Sequence, residues 1–402
     1  MILKNGLVLV GNELVNKDVL IKDNIIVEIN DNIECLQNEE TIDCDGLIVM
    51  PSLMDSHTHT RTPGYTYKED LQTFSASALK GGITTCVAMP NLKPSPCTKE
   101  NVMYINDLIK KDSLINIHQL GAITKDLKGL ELSDYNDLYE LCIGFSDDGV
   151  GVQNKKLMKK AMTELKNNDS LIVCHCEDNK YIVKNNEKAE YKQLRRDLKI
   201  VNKLKNRYHM CHISTRQSMR AIINAKRKGL DVSVEVCPHH LVLTIDDKKD
   251  GNTKMNPPLR DKKDVDFLVK SLLNGQIDCI CSDHAPHAKH EKGEYDKSLN
   301  GIIGLETNFY IMYTHFVKEG LLTLNQLNKL MNDNIAKIFR IEKNEIKEGK
   351  NANILIFNPN EKFIYTEEEI QSKSKNTPFI GCEYYGRIKY TILNGKILYN
   401  EV

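Results

Sequence analysis

Residues 55 to 64 read DSHTHTRTPG, two histidines one residue apart followed by an arginine. In an extended segment side chains alternate in direction, so His57 and His59 share a face with Asp55 while Ser56 and Thr58 point the other way. Two imidazoles on one face can meet one metal ion, but two ligands do not complete a site. Four further residues of ligand type close apolar runs elsewhere: Asp148 in FSDDGVG, His175 in VCHCED, His212 in MCHIST and Asp283 in CSDHAPH. Singly, each has a plainer explanation, a histidine bonded at a strand end or an aspartate capping the next helix. Jointly, imidazole and carboxylate donors suit zinc, and six exceed what one tetrahedral ion takes, so a centre of two metal ions is the better fit. Asp148 is the candidate bridge between them. Ions sharing a water lower its pKa toward neutrality, and Asp283 beside that water can take its proton and deliver it to a leaving nitrogen. Such a layout hydrolyses an amide.

Residues this far apart meet only if regular elements carry them together. From about residue 53 short apolar strands alternate with longer amphipathic stretches. The strands run through LIVMPSLMDSHTH, GITTCVAMPN, INIHQLGAIT, CIGFSDDG, LIVCHCED, YHMCHIST, DVSVEVCPHH and IDCICSDHAPH. Between them lie helix-like segments such as LQTFSASALKGG, NKKLMKKAMTELKNND and TRQSMRAIINAKRKGL. Eightfold alternation is the pattern of an α/β fold of the (β/α)8 TIM-barrel type, whose catalytic residues come from the C-terminal ends of several strands. A doubly wound open sheet is the rival, but it would leave ligands at the ends of strands 1, 4, 5, 6 and 8 strung out, whereas closure gathers them around one point. The barrel is assigned to residues 53–348. Residues 1–52 and 349–402 read instead as short strands with Asn/Gly turns, including a hairpin signal at Asn394–Gly395, and are expected to pair into one small β-sandwich domain built from both ends of the chain. The polar stretch EEEIQSKSKNTP at 367 to 378 reads as a surface loop.

Composition removes several classes of function. With 402 residues, 41% hydrophobic and 27% charged, the chain has the make-up of an ordinary globular protein. Lysine plus arginine equal aspartate plus glutamate at 55 each, so no global basic field gathers nucleic acid. The opening MILKNGLVLVGNELV lacks the layout of a cleavable signal, and no apolar run is long enough to span a bilayer, so a cytoplasmic protein without a membrane partner is expected. The 12 cysteines sit mostly inside apolar strand-like runs without CxxC pairs, which predicts buried reduced thiols rather than disulfides.

Taken together, DSHTHTRTPG, YKED, GGITTCVAMPN, FSDDGVGVQ, CHCED, CHIST, CPHHL, KMNPPLR and SDHAPH resemble, in order and over almost the whole chain, the dihydroorotases of the amidohydrolase superfamily, the bacterial class I enzymes in particular. The resemblance implies reversible closure of N-carbamoyl-L-aspartate to L-dihydroorotate, the third step of pyrimidine biosynthesis, with two zinc ions per subunit. It implies that His57 and His59 hold one zinc, that Asp148 bridges, that His175 and His212 hold the second, and that Asp283 contacts metal and acts as general acid and base. It places Arg61, Asn91 and His287 on the substrate carboxylate and makes Asn256 another substrate contact. The residues agree in part: a guanidinium two positions beyond His59 can hold a carboxylate with paired hydrogen bonds or stand exposed to solvent, the Asn91 amide can donate to the same carboxylate or serve a turn equally well, and His287 and Asn256 have no assignment apart from the resemblance. Thr62 stands where the class commonly has glutamate, and Lys93 where a threonine is frequent.

Two other readings are carried forward. Hydantoinases, dihydropyrimidinases and allantoinases share the His-x-His pair but usually bridge their metals with a carboxylated lysine on strand 4, where this chain has GFSDDG. A catalytically dead scaffold for aspartate transcarbamoylase would have lost metal ligands, and here all six are present. The expected partners are a small-molecule substrate, a second copy in a homodimer and a transcarbamoylase, the last two without a residue that fixes them.

Overall fold

The computed structural model describes residues 1–35, 40–182 and 186–401. Five strands precede the barrel: β1 (Ile2–Val10), β2 (Glu13–Lys22), β3 (Ile25–Asn30), β4 (Thr41–Asp43) and β5 (Ile48–Pro51). The barrel strands are β6 (Leu53–Thr58), β7 (Ile83–Ala88), β8 (Asn116–Gln119) with β9 (Gly121–Ala122), β10 (Phe145–Ser146), β11 (Leu171–Cys174), β12 (Arg207–Met210), β13 (Val232–Val236) and β14 (Cys279–Ile280). Three strands close the chain, β15 (Ile354–Ile364), β16 (Glu383–Leu393) and β17 (Lys396–Asn400).

The barrel strands pair in parallel, β6 with β7 and β8, and β9 through β14 in sequence. Two joins complete the circle. At Leu120 one continuous strand changes partners, its N–H donating to Ala88 O while the Gly121 N–H donates to Gly144 O. At the other seam Thr58 bridges His284 in parallel, and the His59 N–H donates to His284 O at 2.9 Å. Eight strand positions thus form a closed barrel with every expected strand in place.

The helices that drive this alternation start where their sequences say. Asp70 caps Leu71–Lys80 by accepting from the Gln72 and Thr73 N–H groups, Asn154 caps Lys155–Lys166, and Thr215 caps Arg216–Arg227. Each buries one stripe, in the last case Met219, Ile222 and Ala225, against the barrel.

The chain ends interleave. The terminal sheet has the order β17, β16, β15, β5, β1, β2, β3, with β4 added beside the first half of β1. Its central join pairs the two ends of the chain, Ile354 opposite Pro51 through Phe357 opposite Ile48. The hairpin between β16 and β17 turns on Asn394 (φ 49°) and Gly395 (φ 71°), the paired positive φ values that an Asn-Gly turn supplies at low cost. Leu3, Val8, Val19, Ile26, Val49, Ile354, Ile356 and Ile392 form the core of this unit.

The stretch 367 to 378 departs from expectation, because Ile370, Ser372, Ser374, Asn376 and Thr377 are buried. It runs as a strap against the barrel. Ser372 donates through its hydroxyl to the buried Glu69 carboxylate, and the Gln371 and Ser372 N–H groups donate to Glu306 Oε1 at 2.8 and 3.0 Å. Asn376 Nδ2 donates to Ala285 O and Gly301 O at 3.1 and 3.0 Å. Its polar residues face buried partners rather than water, which composition cannot distinguish.

The cysteines follow expectation: all 12 are free, and all are buried except Cys35, which is exposed, and Cys382, which is half-buried. Among the described residues no helix is long and apolar enough to cross a membrane.

Candidate active site

The strand ends converge on a cavity of about 260 Å³ at the C-terminal mouth of the barrel. His59, Arg61, Asn91, Asp148, His175, His212, Asn256, Asp283 and His287 line it, and His57 lies fully buried beneath. The structure thus brings together every residue singled out from the sequence.

Asp148 stands at the centre. Its Oδ1 lies 3.4 Å from His57 Nε2 and 3.6 Å from both His175 Nδ1 and His212 Nε2, and its Oδ2 lies 3.6 Å from His59 Nε2. Asp283 Oδ1 lies 3.1 Å from His59 Nε2 and 3.5 Å from His57 Nε2. Ligands about 2.1 Å from a tetrahedral ion are separated from one another by about 3.4 Å, so these spacings have the size of a coordination shell. The hydrogen bonds point the same way. His57 Nδ1 donates to Glu235 Oε1 at 2.7 Å, which leaves a lone pair on Nε2, and His59 Nδ1 donates to Asn91 Oδ1 at 2.8 Å with the same result. His57 Nε2 and Asp148 Oδ1 are buried without a hydrogen-bond partner among the described residues. Two acceptors facing each other in a buried site call for a cation between them, and the donor set therefore fits metal.

The electrostatics match. Burial alone raises the Asp148 and Asp283 carboxyls, but positive charge on the surrounding imidazoles outweighs it, His57 and His212 foremost around Asp148 and His57 and His59 around Asp283; the centre is thus built to hold positive charge between these groups, as protons on the imidazoles or, with the imidazoles neutral, as metal ions. Both are ionised near neutral pH. Burial pushes the neighbouring Asp55 up to about 6, against the Ser282 and His57 hydrogen bonds that pull it down.

Three of these residues sit in left-handed backbone conformations, Arg61 (φ 59°), His212 (φ 28°) and Asp283 (φ 48°). Such conformations are uncommon outside glycine and cluster at functional sites, where packing enforces them. Gly301 (φ 136°) lines the wall, and a Cβ there would stand 2.8 Å from Ala285 Cβ and 3.0 Å from His287 Cδ2, so only glycine lets this wall pass behind His287.

The substrate candidates differ in how free they are. Arg61 is buried at the rim with Nε donating to Pro286 O at 3.2 Å, and among the described residues no hydrogen bond engages its terminal nitrogens. Asn91 has given its oxygen to His59 and keeps its amide N–H groups. Asn256 Nδ2 donates to Glu177 Oε2 at 3.0 Å and lies 3.3 Å from His175 Nε2, so it braces a ligand as well as lining the cavity. His287 is held at both ring nitrogens, Nε2 donating to Asn300 O at 2.8 Å and Nδ1 lying near Lys68 and Glu291. Thr62, at the position of the usual glutamate, is buried and donates to Glu69 O.

Glu235 escaped the sequence reading. It is fully buried in β13, where its carboxylate accepts from His57 Nδ1 and from the Ser56 hydroxyl at 2.5 Å and lies 3.1 Å from His209 Nε2. The signal was present, an acidic residue inside the apolar run VSVEVC, because an ionised side chain persists there only when paired. Glu177, two residues after His175, was the other omission.

The dihydro-orotase-like family model matches residues 46–218. A dihydroorotase of Bacillus cereus (strain AH820) is 39% identical over 97% of this chain and 95% of its own length, and a dihydroorotase of Elusimicrobium minutum (strain Pei191) is 40% identical over 95% and 93%. Among solved structures, an L-hydantoinase (dihydropyrimidinase) from Arthrobacter aurescens superposes with a TM-score of 0.90 at 24% identity, covering 100% of this chain and 96% of that one. At that identity the likeness speaks for the fold.

Proposed function

Since the chain belongs to the dihydroorotase family of cyclic-amide hydrolases, we propose that it interconverts L-dihydroorotate and N-carbamoyl-L-aspartate in pyrimidine biosynthesis, using the cavity at the barrel mouth. The observation that carries this reading is the meeting, in one cavity, of the ligand set around Asp148 with a buried Arg61 whose terminal nitrogens are free for a carboxylate. A ring substrate without a carboxylate would leave that guanidinium unpaired.

His57, His59, Asp148, His175 and His212 would hold two zinc ions, with Asp148 shared between them. When bound, such ions supply Lewis acidity and an acidified water. The chain's own residues do the rest. Arg61 and the Asn91 amide anchor the carboxylate and so fix the ring in the cavity. Asp283, ionised and open to the cavity, accepts the proton of the attacking water and passes it to the ring nitrogen as the amide bond breaks. In ring closure it takes that proton back from the carbamoyl nitrogen. Glu235 and Asn91 fix the tautomers of His57 and His59, so neither ring turns a protonated nitrogen toward the centre. For His287 to reach the substrate, its bond to Asn300 O must be exchanged. The proposal includes a cytoplasmic location and a homodimer; association with a transcarbamoylase is compatible with an active site that is complete in one chain.

The test is turnover of L-dihydroorotate by zinc-replete protein, with hydantoin, dihydrouracil and allantoin assayed beside it. Selective turnover of dihydroorotate is expected. Activity confined to the uncarboxylated rings would overturn the assignment of Arg61 and of the substrate, and silence on all four would favour a scaffold.

A further inference from the structure

Beside the catalytic centre, and sharing no residue with the ligand set around Asp148, lies a second cluster of donor atoms. Cys237, His239 and His240 each offer one within 4.8 Å of the others, and all three side chains are buried. Their spacing follows from the chain path: Cys237 continues β13, Pro238 turns the backbone, and the two histidines open the short helix His239–Val242. A second thiol lies alongside Cys237 on the next strand, where its own donor neighbours are His57 and Glu235. The register that pairs Val236 with Ile280 carries Cys281 alongside Cys237, and the two sulfurs are 3.5 Å apart.

The imidazoles have lone pairs to give. His240 Nε2 donates to Pro257 O at 2.9 Å, which places the proton on that nitrogen and leaves Nδ1 bare, and Nδ1 has no hydrogen-bond partner among the described residues. His239 Nε2 is likewise buried and unpartnered. An unmet buried acceptor such as His240 Nδ1 is costly, and the thiol of Cys237 in the same cluster is only a weak donor.

We propose that Cys237, His239 and His240 form a three-donor site for a thiophilic d10 metal ion, distinct from the catalytic centre. The donor set sorts the two: the catalytic centre offers imidazole and carboxylate, whereas this one offers sulfur and imidazole with no carboxylate, and so prefers the softer ion. Binding is simple exchange. The Cys237 thiol gives its proton to solvent as its sulfur–metal bond forms, and no electron is transferred. Burial pushes the Cys237 thiol up to about 11, so in the absence of an ion it stays protonated at neutral pH. The cluster lies just past the C-terminal end of β13, beside the end of β14 that leads to Asp283.

Cadmium is the probe, because its bond to thiolate gives an ultraviolet charge-transfer band that nitrogen and oxygen ligands do not. The full chain carries Cys35→Ser and Cys382→Ser, which removes the two thiols that are not buried, and is loaded with zinc before titration. We expect one additional equivalent of cadmium, with the band rising in proportion and vanishing in a further Cys237→Ser variant, and at least tenfold weaker binding in His239→Gln. Absence of the band, or its persistence in a folded Cys237→Ser protein, overturns the proposal. If Cys237→Ser does not fold, X-ray absorption of the cadmium-loaded parent decides: sulfur in the first shell supports the site, and nitrogen and oxygen alone overturn it.

Discussion

Asp283 and Asp148 are two buried carboxylates among the same imidazoles, with different freedom. Asp148 is enclosed by four histidine nitrogens at 3.4 to 3.6 Å, whereas Asp283 pairs, among the described residues, with His57 and His59 alone and opens on the cavity. Replacing Asp283 with alanine is therefore expected to leave most of the bound metal in place while lowering turnover in both directions by ~10²–10⁴-fold. Metal analysis alongside initial rates checks this, and normal rates would remove Asp283 from the acid–base role. Arg61→Met removes the guanidinium that lines the rim, and loss of a buried charge pair costs about 2–5 kcal/mol. The loss should appear as weaker binding of dihydroorotate, measured by the inhibition constant of a carboxylated analogue, with an unchanged constant as the contrary outcome. Glu235→Gln keeps the shape but weakens the bond that orients His57, and about 10–100-fold lower metal affinity is expected in a chelator competition. An unaltered affinity would reduce Glu235 to a packing residue.

At the scale of elements, the strap at 367 to 378 ties the terminal sheet to the loop after β6. Glu69 is fully buried and accepts from Ser372, Thr73 and the Lys373 N–H, and Ser374 donates to Lys68 O at 2.7 Å. Lys68 in turn pairs with Glu291 at 2.9 Å, next to His287, and the His287 N–H donates to Asn376 Oδ1. The strap thus reaches the cavity wall through two short chains of polar contacts. Ser372→Ala strips one donor from a buried carboxylate, and chemical denaturation should show a loss of about 1–3 kcal/mol. Wild-type stability in that variant would mean that Glu69 finds another donor. The motif YKED, which carried no chemistry of its own in the sequence, acquires a role here: its lysine and glutamate are the anchors of this strap.

For the whole molecule, the interleaved sheet makes the two chain ends interdependent, and we propose residues 1–52 with 349–402 as one unit. Without residues 349–402, β5 loses its partner β15, and core residues such as Leu9, Ile48 and Met50 lose the cover of Leu355, Phe357 and Ile388. A buried amide cluster fastens the barrel to this sheet: Asn344 Nδ2 donates to Ser52 O at 2.9 Å, and Asn353 Nδ2 donates to Asn344 Oδ1 at 2.9 Å. The truncated chain is expected to aggregate rather than to yield a smaller folded barrel, which size-exclusion chromatography and thermal unfolding would show. A monodisperse, cooperatively unfolding 1–348 fragment would mean that the barrel needs no composite partner.

The sequence alone determined the period and order of the barrel elements, the hairpin at Asn394–Gly395 and which residues of ligand type end the barrel strands. These are local properties: apolar alternation, capping residues, a turn that needs two positive φ values, and donor chemistry at strand ends. Barrel closure follows from their number. Tertiary structure decided what depends on partners distant in the chain. Glu235 and Asn91 became tautomer-setting residues only when closure of the barrel brought Glu235 of β13 to His57 and the end of β7 beside β6, and a polar stretch that composition assigns to the surface became a buried strap because Glu69 and Glu306 were waiting for its donors. The pairing of Cys237 with Cys281 is likewise a matter of register between two strands that are 44 residues apart in the chain. Hydrophobic pattern says which residues leave water; only the fold says which polar groups leave it together.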